Sequence, residues 1–486
     1  MGGLFGVLDT AARGLLVTQG GIGVTGHNIA NANNPAYSRQ RQVLEADRPV
    51  VLPDGAFGTG VRQVTIERIT DEFLLRAIVD ERSTIGSVQV QADALAQLEQ
   101  VFNEQTGLGL TSVLSDFYNA FDELAASTDS SGATERSLLL ARGQAVVTEF
   151  QRMDAQLRDQ QTAADRAVQD VLGEINALSA RILDLNRQIV STEVTVPAND
   201  LRDLRDEAVR DLASRVDIQT FEHAEGDIVV MMRSSGLPLV EGEAARNLRG
   251  TADGLNPFDP TYVDVFYDDG ASLVDITADI GGGRLGGLLA VRDQILPGAI
   301  RSLDTLAYNL AATVNAQHQA GFDLSGTAGA DFFTDTLAAG VADTAQTISL
   351  DAALTADGIA AAGNAAGDPG DRQNALALAN LRNAGQALYL PGDPAPPGPA
   401  TGPTRSVLEH TAATIADVGQ QALIMNNASA EQERVLETLE NRRDAVSGIS
   451  VDEEVVELVR LQAAFQANAR VIAQVQQMLD ELVSLL

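Results

Sequence analysis

The residues best placed to do chemistry are Gly281-Gly-Gly-Arg-Leu-Gly286. They fit G-x-G-x-x-G after a strand-like run and at the start of a helical one, the context of a dinucleotide fingerprint. Two things argue against a nucleotide site. The preceding strands look like an antiparallel β module, and the acidic residue about 20 positions on, Asp304, lies inside a helix rather than at a strand end. A flexible return from the β module is the better reading. The four histidines, His27, His223, His318 and His410, share no i, i+4 spacing, so no helical metal pair is expected. The chain has no lysine, hence no Walker loop, and no cysteine, hence no thiolate nucleophile or disulfide. Acidic pairs such as Asp268-Asp269 sit in turn contexts, where solvation is expected rather than acid–base work. No catalytic residue, metal or cofactor is expected, and the chain reads as not an enzyme.

At 486 residues the chain is long enough for several domains. Its 67 acidic and 33 basic residues give a net charge of -34. A nucleic acid or an anionic membrane surface would repel it, so neither is an expected partner. No apolar run approaches the roughly 20 residues of a membrane span, and no signal-peptide pattern opens the chain. General secretion is therefore not the expected exit route.

Helical periodicity dominates the elements. The opening helix runs from Leu4 to Ile29 and breaks over Asn31–Pro35, because a residue before proline is pushed out of the helical region. Alternating stretches at Val43–Val51 and Val61–Ile66 flank a Pro53-Asp54-Gly55 turn. Helix is expected over about 71–102, over 110–126, and through the long proline-free stretch 134–190. As one helix that stretch would be roughly 85 Å long, a rod-forming element. Residues 216–283 read as an inserted β-rich domain, with strands near 228–232, 262–267 and 272–277. Helix returns over 284–320 and from 404 to about 443. Between them, 326–403 is Gly-, Ala- and Pro-rich, a loop or linker by composition and of uncertain fold. The last helix follows Gly448, with Ser450 and Glu453 spaced as a capping box and Asp452, Glu453 and Glu454 at the positive dipole end.

Both ends carry heptad-like apolar lines. Leu4, Leu8, Ala11, Leu15, Thr18, Ile22, Thr25 and Ile29 recur in steps of four and three. So do Leu458, Leu461, Phe465, Asn468, Ile472, Val475, Leu479, Leu482 and Leu486. Chain ends are usually polar and frayed. Ends built this way are set up to bury against each other or against neighbours, as in a polymer subunit. A single seam is modest beside the entropy of ordering a helix, so the ends are expected to order on assembly. Asn468 in the seam either fixes register or faces solvent.

The stretch Asn28-Ile-Ala-Asn31-Ala-Asn33-Asn34-Pro35-Ala36-Tyr37-Ser38-Arg39-Gln40 closes the first helix. Together with Gln466-Ala-Asn-Ala-Arg-Val-Ile472 near the other end, it resembles the bacterial flagellar axial proteins of the rod, hook and hook-associated group. Tyr37-Ser38-Arg39-Gln40 is closest to the hook-associated members. Ala36 stands where the family usually has glycine, and Phe465 where tyrosine is common. The resemblance implies a mainly α fold with an inserted β-rich domain: an elongated multi-domain rod whose terminal helices pair as a coiled-coil-like domain. Its domains would be 1–45 plus 448–486; the rod at 46–215, 284–325 and 404–447; and the 216–283 insertion. It also implies a structural subunit at the hook–filament junction, outside the cell. The expected partners are further copies of itself, the hook protein, hook-associated protein 3 and a cytoplasmic chaperone over the C-terminal seam, with export by the flagellar type III apparatus. A hook or distal-rod subunit is the alternative within the group.

Overall fold

The computed structural model describes residues 2–52, 55–102, 109–129, 131–334, 340–365, 370–396 and 398–484. Pro53, Asp54 and Leu486, named above, lie outside the described residues. Helix α1 spans Gly2–Ala30. Strands β1 (Gln40–Ala46), β2 (Val50–Leu52), β3 (Gly55–Phe57) and β4 (Val61–Arg68) form a nested hairpin. In it β1 pairs antiparallel with β4 from Gln40↔Arg68, and β2 pairs with β3. Helix α2 (Glu72–Val101) starts at Asp71, whose carboxylate accepts the Phe73 and Leu74 amides at 3.0 and 3.2 Å. Helices α3 (Leu110–Ala126), α4 (Ala133–Glu193) and α5 (Asn199–Arg215) follow.

The proline-free stretch is indeed one helix, of 61 residues. Its burial explains why so long a helix is stable. The half from Leu139 to Ala164 lines one hydrophobic core with α3, and Val168 to Leu185 lines a second. The second core is closed by the β module. Strands β5 (Ile218–Glu222), β6 (Ile228–Met232), β7 (Pro238–Glu241) and β8 (Ala244–Ala245) form one antiparallel sheet, in that order. Strands β9 (Asn247–Thr251), β10 (Asp264–Asp268) and β11 (Leu273–Asp275) form another, with β10 central.

Helix α6 (Gly283–Ala290) then runs through a π-helical turn, Val291–Ile295, into α7 (Leu296–Gln319). Gly282, Gly283, Gly286 and Gly287 serve packing. A methyl group added at Gly287 would lie 2.6 Å from the Ser87 carbonyl oxygen on α2, and one at Gly283 would meet the Val216 backbone. The π turn carries Arg292, fully buried between the two cores. Arg292 donates to Asp165 on α4 at 2.8 Å and to Asp293 at 2.7 Å, and its carbonyl accepts from Gln161 at 2.8 Å. A buried guanidinium is tolerated only when paired this fully.

Residues 326–403 are not a free linker. Helices α8 (Thr344–Thr347) and α9 (Gln373–Asn380) and the short strands β12 (Gln386–Ala387) and β13 (Thr404–Arg405) lie in or beside this segment. Its Phe332, Phe333, Ile348, Ile359 and Leu378 are buried in the first core. The Asn315 side chain on α7 accepts both the Phe332 and Phe333 amides at 2.9 Å, fixing the two rings in place. Few large side chains are present, but they are the ones that pack. Helix α10 (Val407–Ser447) then lies along α2, opened by a full capping box between Ser406 and Glu409. Helix α11 (Val451–Ser484) closes the chain along α1. Among the described residues no helix is long and apolar enough to cross a membrane.

Asp304 on α7 accepts the Asp343 and Ala345 amides at 3.0 and 2.8 Å, so it caps α8 and holds no ribose. Burial is the main cause that pushes its carboxyl up to about 6, with Asp154 and Asp343 adding to it. In the unfolded chain the group returns to its ordinary value. Its stabilising contribution is therefore complete below pH 4 and lost as pH rises through 6. Thermal unfolding of Asp304→Asn, which does not titrate, should shift in the variant's favour by about 2–3 kcal/mol between pH 4 and 7 relative to the parent chain. A constant difference would contradict the assignment.

Candidate assembly interface

The two chain ends meet in an antiparallel pair. Three contacts a heptad apart set its register. A methyl group at Gly14 would lie 2.9 Å from Asn468 Nδ2, and one at Gly21 would lie 3.1 Å from a Leu461 methyl. Asn28 Nδ2 donates to Glu454 Oε2 at 3.1 Å. The glycines of α1 thus let α11 approach closely, and Asn468 packs half-buried against one of them.

The pairing divides the N-terminal line in two. Ala11, Thr18 and Thr25 are buried, whereas Leu4, Leu8, Leu15, Ile22 and Ile29 stay half-buried. Residues at 8, 15, 22 and 29 sit about 50° further round the helix than 11, 18 and 25. In α11, Val475 is buried; Leu458, Leu461, Phe465, Ile472 and Leu479 are half-buried; and Leu482 is exposed. Phe5, Leu16, Val456, Val459 and Val483 face solvent, Leu16 at 66% exposure. Charge is scarce here. Besides His27, α1 carries only Asp9 and Arg13, and residues 461–479 carry only Arg470.

The asparagine-rich turn fastens this pair to the body. Asn28, 2% exposed, uses all of its side-chain capacity. Its Nδ2 also donates to the Gln40 carbonyl at 3.0 Å, and its Oδ1 accepts the Gln40 amide at 3.1 Å and the Tyr37 hydroxyl at 2.9 Å. It therefore acts as a strand neighbour for the first residue of β1. Asn31 Nδ2 donates to the His27 carbonyl at 3.1 Å, and Asn34 Oδ1 accepts the Ala36 amide at 3.1 Å, a side-chain turn. Ala36 is not among the positive-φ residues, so the turn closes without glycine. Asn33 and Pro35 lie exposed on its outside.

Beyond the turn, the Ser38 amide donates to Asp203 Oδ2 at 3.0 Å, and Gln40 Nε2 donates to Asp200 at 2.8 Å, both on α5. Arg68 bridges Asp203 and Asp206 at 2.7 and 2.8 Å. Arg39 Nε donates to Glu454 Oε1 at 2.7 Å, and the Arg39 amide donates to the Ser447 carbonyl at 2.9 Å. Burial, reinforced by Asp200, Asp203 and Glu454, holds the Tyr37 hydroxyl well above the ordinary tyrosine range, so it stays a donor.

Glu454, Asp203, Asp200 and Arg68 were not singled out by sequence reading. Helix-dipole reasoning offers Glu454 only as one of three acidic residues at a helix start, though it alone of the three is buried. At Ser450 the Glu453 amide reaches the hydroxyl at 3.5 Å, while the Glu453 carboxylate lies toward Arg39 at 3.5 Å. Of the histidines, His318 is buried, with Nδ1 on the Ala330 carbonyl at 2.6 Å and Nε2 accepting the Ala360 amide at 2.9 Å. Among the described residues no cluster of three or more His, Asp or Glu could hold a metal.

The close approach predicts opposite outcomes at two neighbouring glycines. Gly21→Val should cost about 2 kcal/mol or more by pushing Leu461 away. Gly23→Ala, with open space around it, should stabilise by up to about 1 kcal/mol through helix propensity. Thermal unfolding checks both signs.

Comparison with known proteins agrees with this layout. Residues 95–333 match the family model "Flagellar hook-associated protein FlgK helical domain", and 444–485 match "Flagellar basal body rod FlgEFG protein C-terminal". Flagellar hook-associated protein 1 of Bacillus subtilis (strain 168) is 30% identical, over 98% of this chain and 97% of that protein. The Escherichia coli (strain K12) protein of the same name is 24% identical over 99% of each. The solved flagellar hook junction protein FlgK from Burkholderia pseudomallei superposes with a TM-score of 0.63 at 17% identity, covering 76% of this chain and all of that one, a likeness of fold. The chain belongs to the flagellar hook-associated protein 1 family, structural subunits of the flagellar hook–filament junction.

Proposed function

We infer that copies of this chain associate through the α1–α11 pair, and that the Asn28–Gln40 turn sets the angle of that pair against the helical body. The observation that carries this is the terminal pair, charge-poor along α1 and residues 461–479, where most of the large apolar side chains stay half-buried or exposed after the two helices have packed. With a net charge of -34, most of the surface repels a second copy, and the charge-poor stretches of α1 and of residues 461–479 are where two copies can approach. A head-to-tail contact that does not close would propagate as a helical tube.

In this reading the hook protein lies on one side of the junction and hook-associated protein 3 on the other, outside the cell. Before export, a cytoplasmic chaperone covers the α11 seam, and the flagellar type III apparatus takes the chain out. Asn468 fixes register by seating against Gly14. The role is structural and needs no catalysis. The glycine run at 281–286 favours no rival nucleotide reading, since Gly282 packs against Ser83 of α2, Gly283 against the Val216 backbone and Gly286 against the Gly281 backbone.

Deletion of residues 458–486 tests the proposal. Cells carrying only the truncated chain should make hooks without attached filaments, scored by electron microscopy and by loss of swimming. Normal filaments on those hooks would overturn the role of α11.

A further inference from the structure

The terminal pair has two apolar flanks, and they lie on opposite sides of it. Around α11, Leu461, Asn468 and Val475 point at α1. Phe465, Ile472 and Leu479 lie about 40° to one side of that line, and Ala464, Val471 and Met478 about 60° to the other. Around α1, the line facing α11 passes through Gly14, Gly21 and Asn28. Leu8, Leu15 and Ile22 lie about 100° from it. Because the helices run antiparallel, this α1 stripe falls on the same side as Phe465 and Ile472, and so opposite Val471 and Met478. The hairpin lies against the other side of α1, through Gln42 Nε2 donating to the Val17 carbonyl at 3.1 Å. The Leu8 stripe lies away from it, with Leu8, Leu15 and Ile22 each half-buried. Val471 is 41% exposed and Met478 37%.

We propose that the Leu8–Leu15–Ile22 stripe of one copy seats against the Val471–Met478 stripe of the next. This rests on the reading that the terminal pair is the contact between copies, and adds which faces meet. A second copy is the occupant because each copy presents both halves, one per flank, and neither half carries a charge of its own. The pairing is heterologous: α1 of one copy meets α11 of its neighbour, never α1 with α1. Such a contact leaves an unused flank at each end and adds copies without limit until ring geometry closes it.

The chain has no cysteine, so introduced ones report directly. Leu8→Cys, Leu15→Cys and Ile22→Cys are each combined with Val471→Cys or Met478→Cys in the full-length chain, since the stagger between copies selects which pair aligns. Flagella from cells carrying each double variant are treated with a mild oxidant and run without reductant. At least one of the six doubles should give a ladder at multiples of the 51.1-kDa chain, and the five single variants should give none. Dimers from a single variant, or no ladder from any double in cells that still swim, would overturn the pairing while leaving the terminal pair as the contact.

A second set covers variants that fail to assemble. Leu8→Glu, Leu15→Glu, Ile22→Glu, Val471→Arg and Met478→Arg should each impair swimming, and at least one combination of a Glu with an Arg variant should recover part of it. No recovery in any combination, with helical content intact in the singles, would count against the pairing. Normal swimming in all the singles would remove the contact itself, and with it the function proposed above.

Discussion

A single buried carboxylate joins the two ends of this chain. Glu454 is 2% exposed and receives Asn28 from the first helix and Arg39 from the turn that follows it. A carboxylate there would be costly alone, and stripping its partners would leave a buried charge worth about 3–5 kcal/mol. Held this way it fixes the phase of α11 against α1, because Asn28, Gly21 and Gly14 then meet Glu454, Leu461 and Asn468 at successive heptads. The same Asn28 starts β1 and positions Tyr37. Seam, turn and hairpin therefore depend on one polar cluster rather than on apolar burial alone. On the α1 side of the pair, small and polar residues make the internal contact, and most of the large apolar ones stay half-buried or exposed.

The body that carries this pair is organised along one helix. α4 lines two cores in succession, and the polar node of Arg292, Asp165 and Gln161 lies between them. The π-helical turn at Val291–Ile295 aims Arg292 into that node, and α5, packed beside α4, brings Asp200 and Asp203 to the terminal turn. The β module and the terminal pair are thus tied to the same long element, one by apolar packing and the other by ionic hydrogen bonds.

Much of this was legible in the residues. Unbroken 3.6-residue periodicity marks α4 because nothing in it stops a helix, and the strands at 228–232 and 262–267 show in their β-branched runs. The paired ends show in their heptads. What periodicity does not resolve is which of two adjacent lines on α1 faces α11, since the Leu8 and Ala11 lines differ by only about 50°. Side-chain size favours the Leu8 line, yet the buried line is Ala11, Thr18 and Thr25. Composition misled at 326–403, where abundant Gly, Ala and Pro hid the pair Phe332-Phe333 that anchors the segment. Dipole reasoning treats Asp452, Glu453 and Glu454 alike, so the one carboxylate aimed inward is not distinguishable without its partners. Asp203 and Arg68 are far apart in sequence, and only the fold brings them together.

Amide hydrogen exchange on the free chain, comparing the parent with Glu454→Ala, tests the central claim most directly. Against the expectation that the ends order only on assembly, the account predicts slow exchange over residues 11–28 and 454–475 in the parent, where the two helices already pair. In the variant both segments should lose protection together, while α4 keeps its own. If α1 and α11 remain protected without Glu454, or if only one of them loosens, the buried carboxylate is not what ties the two ends of the chain.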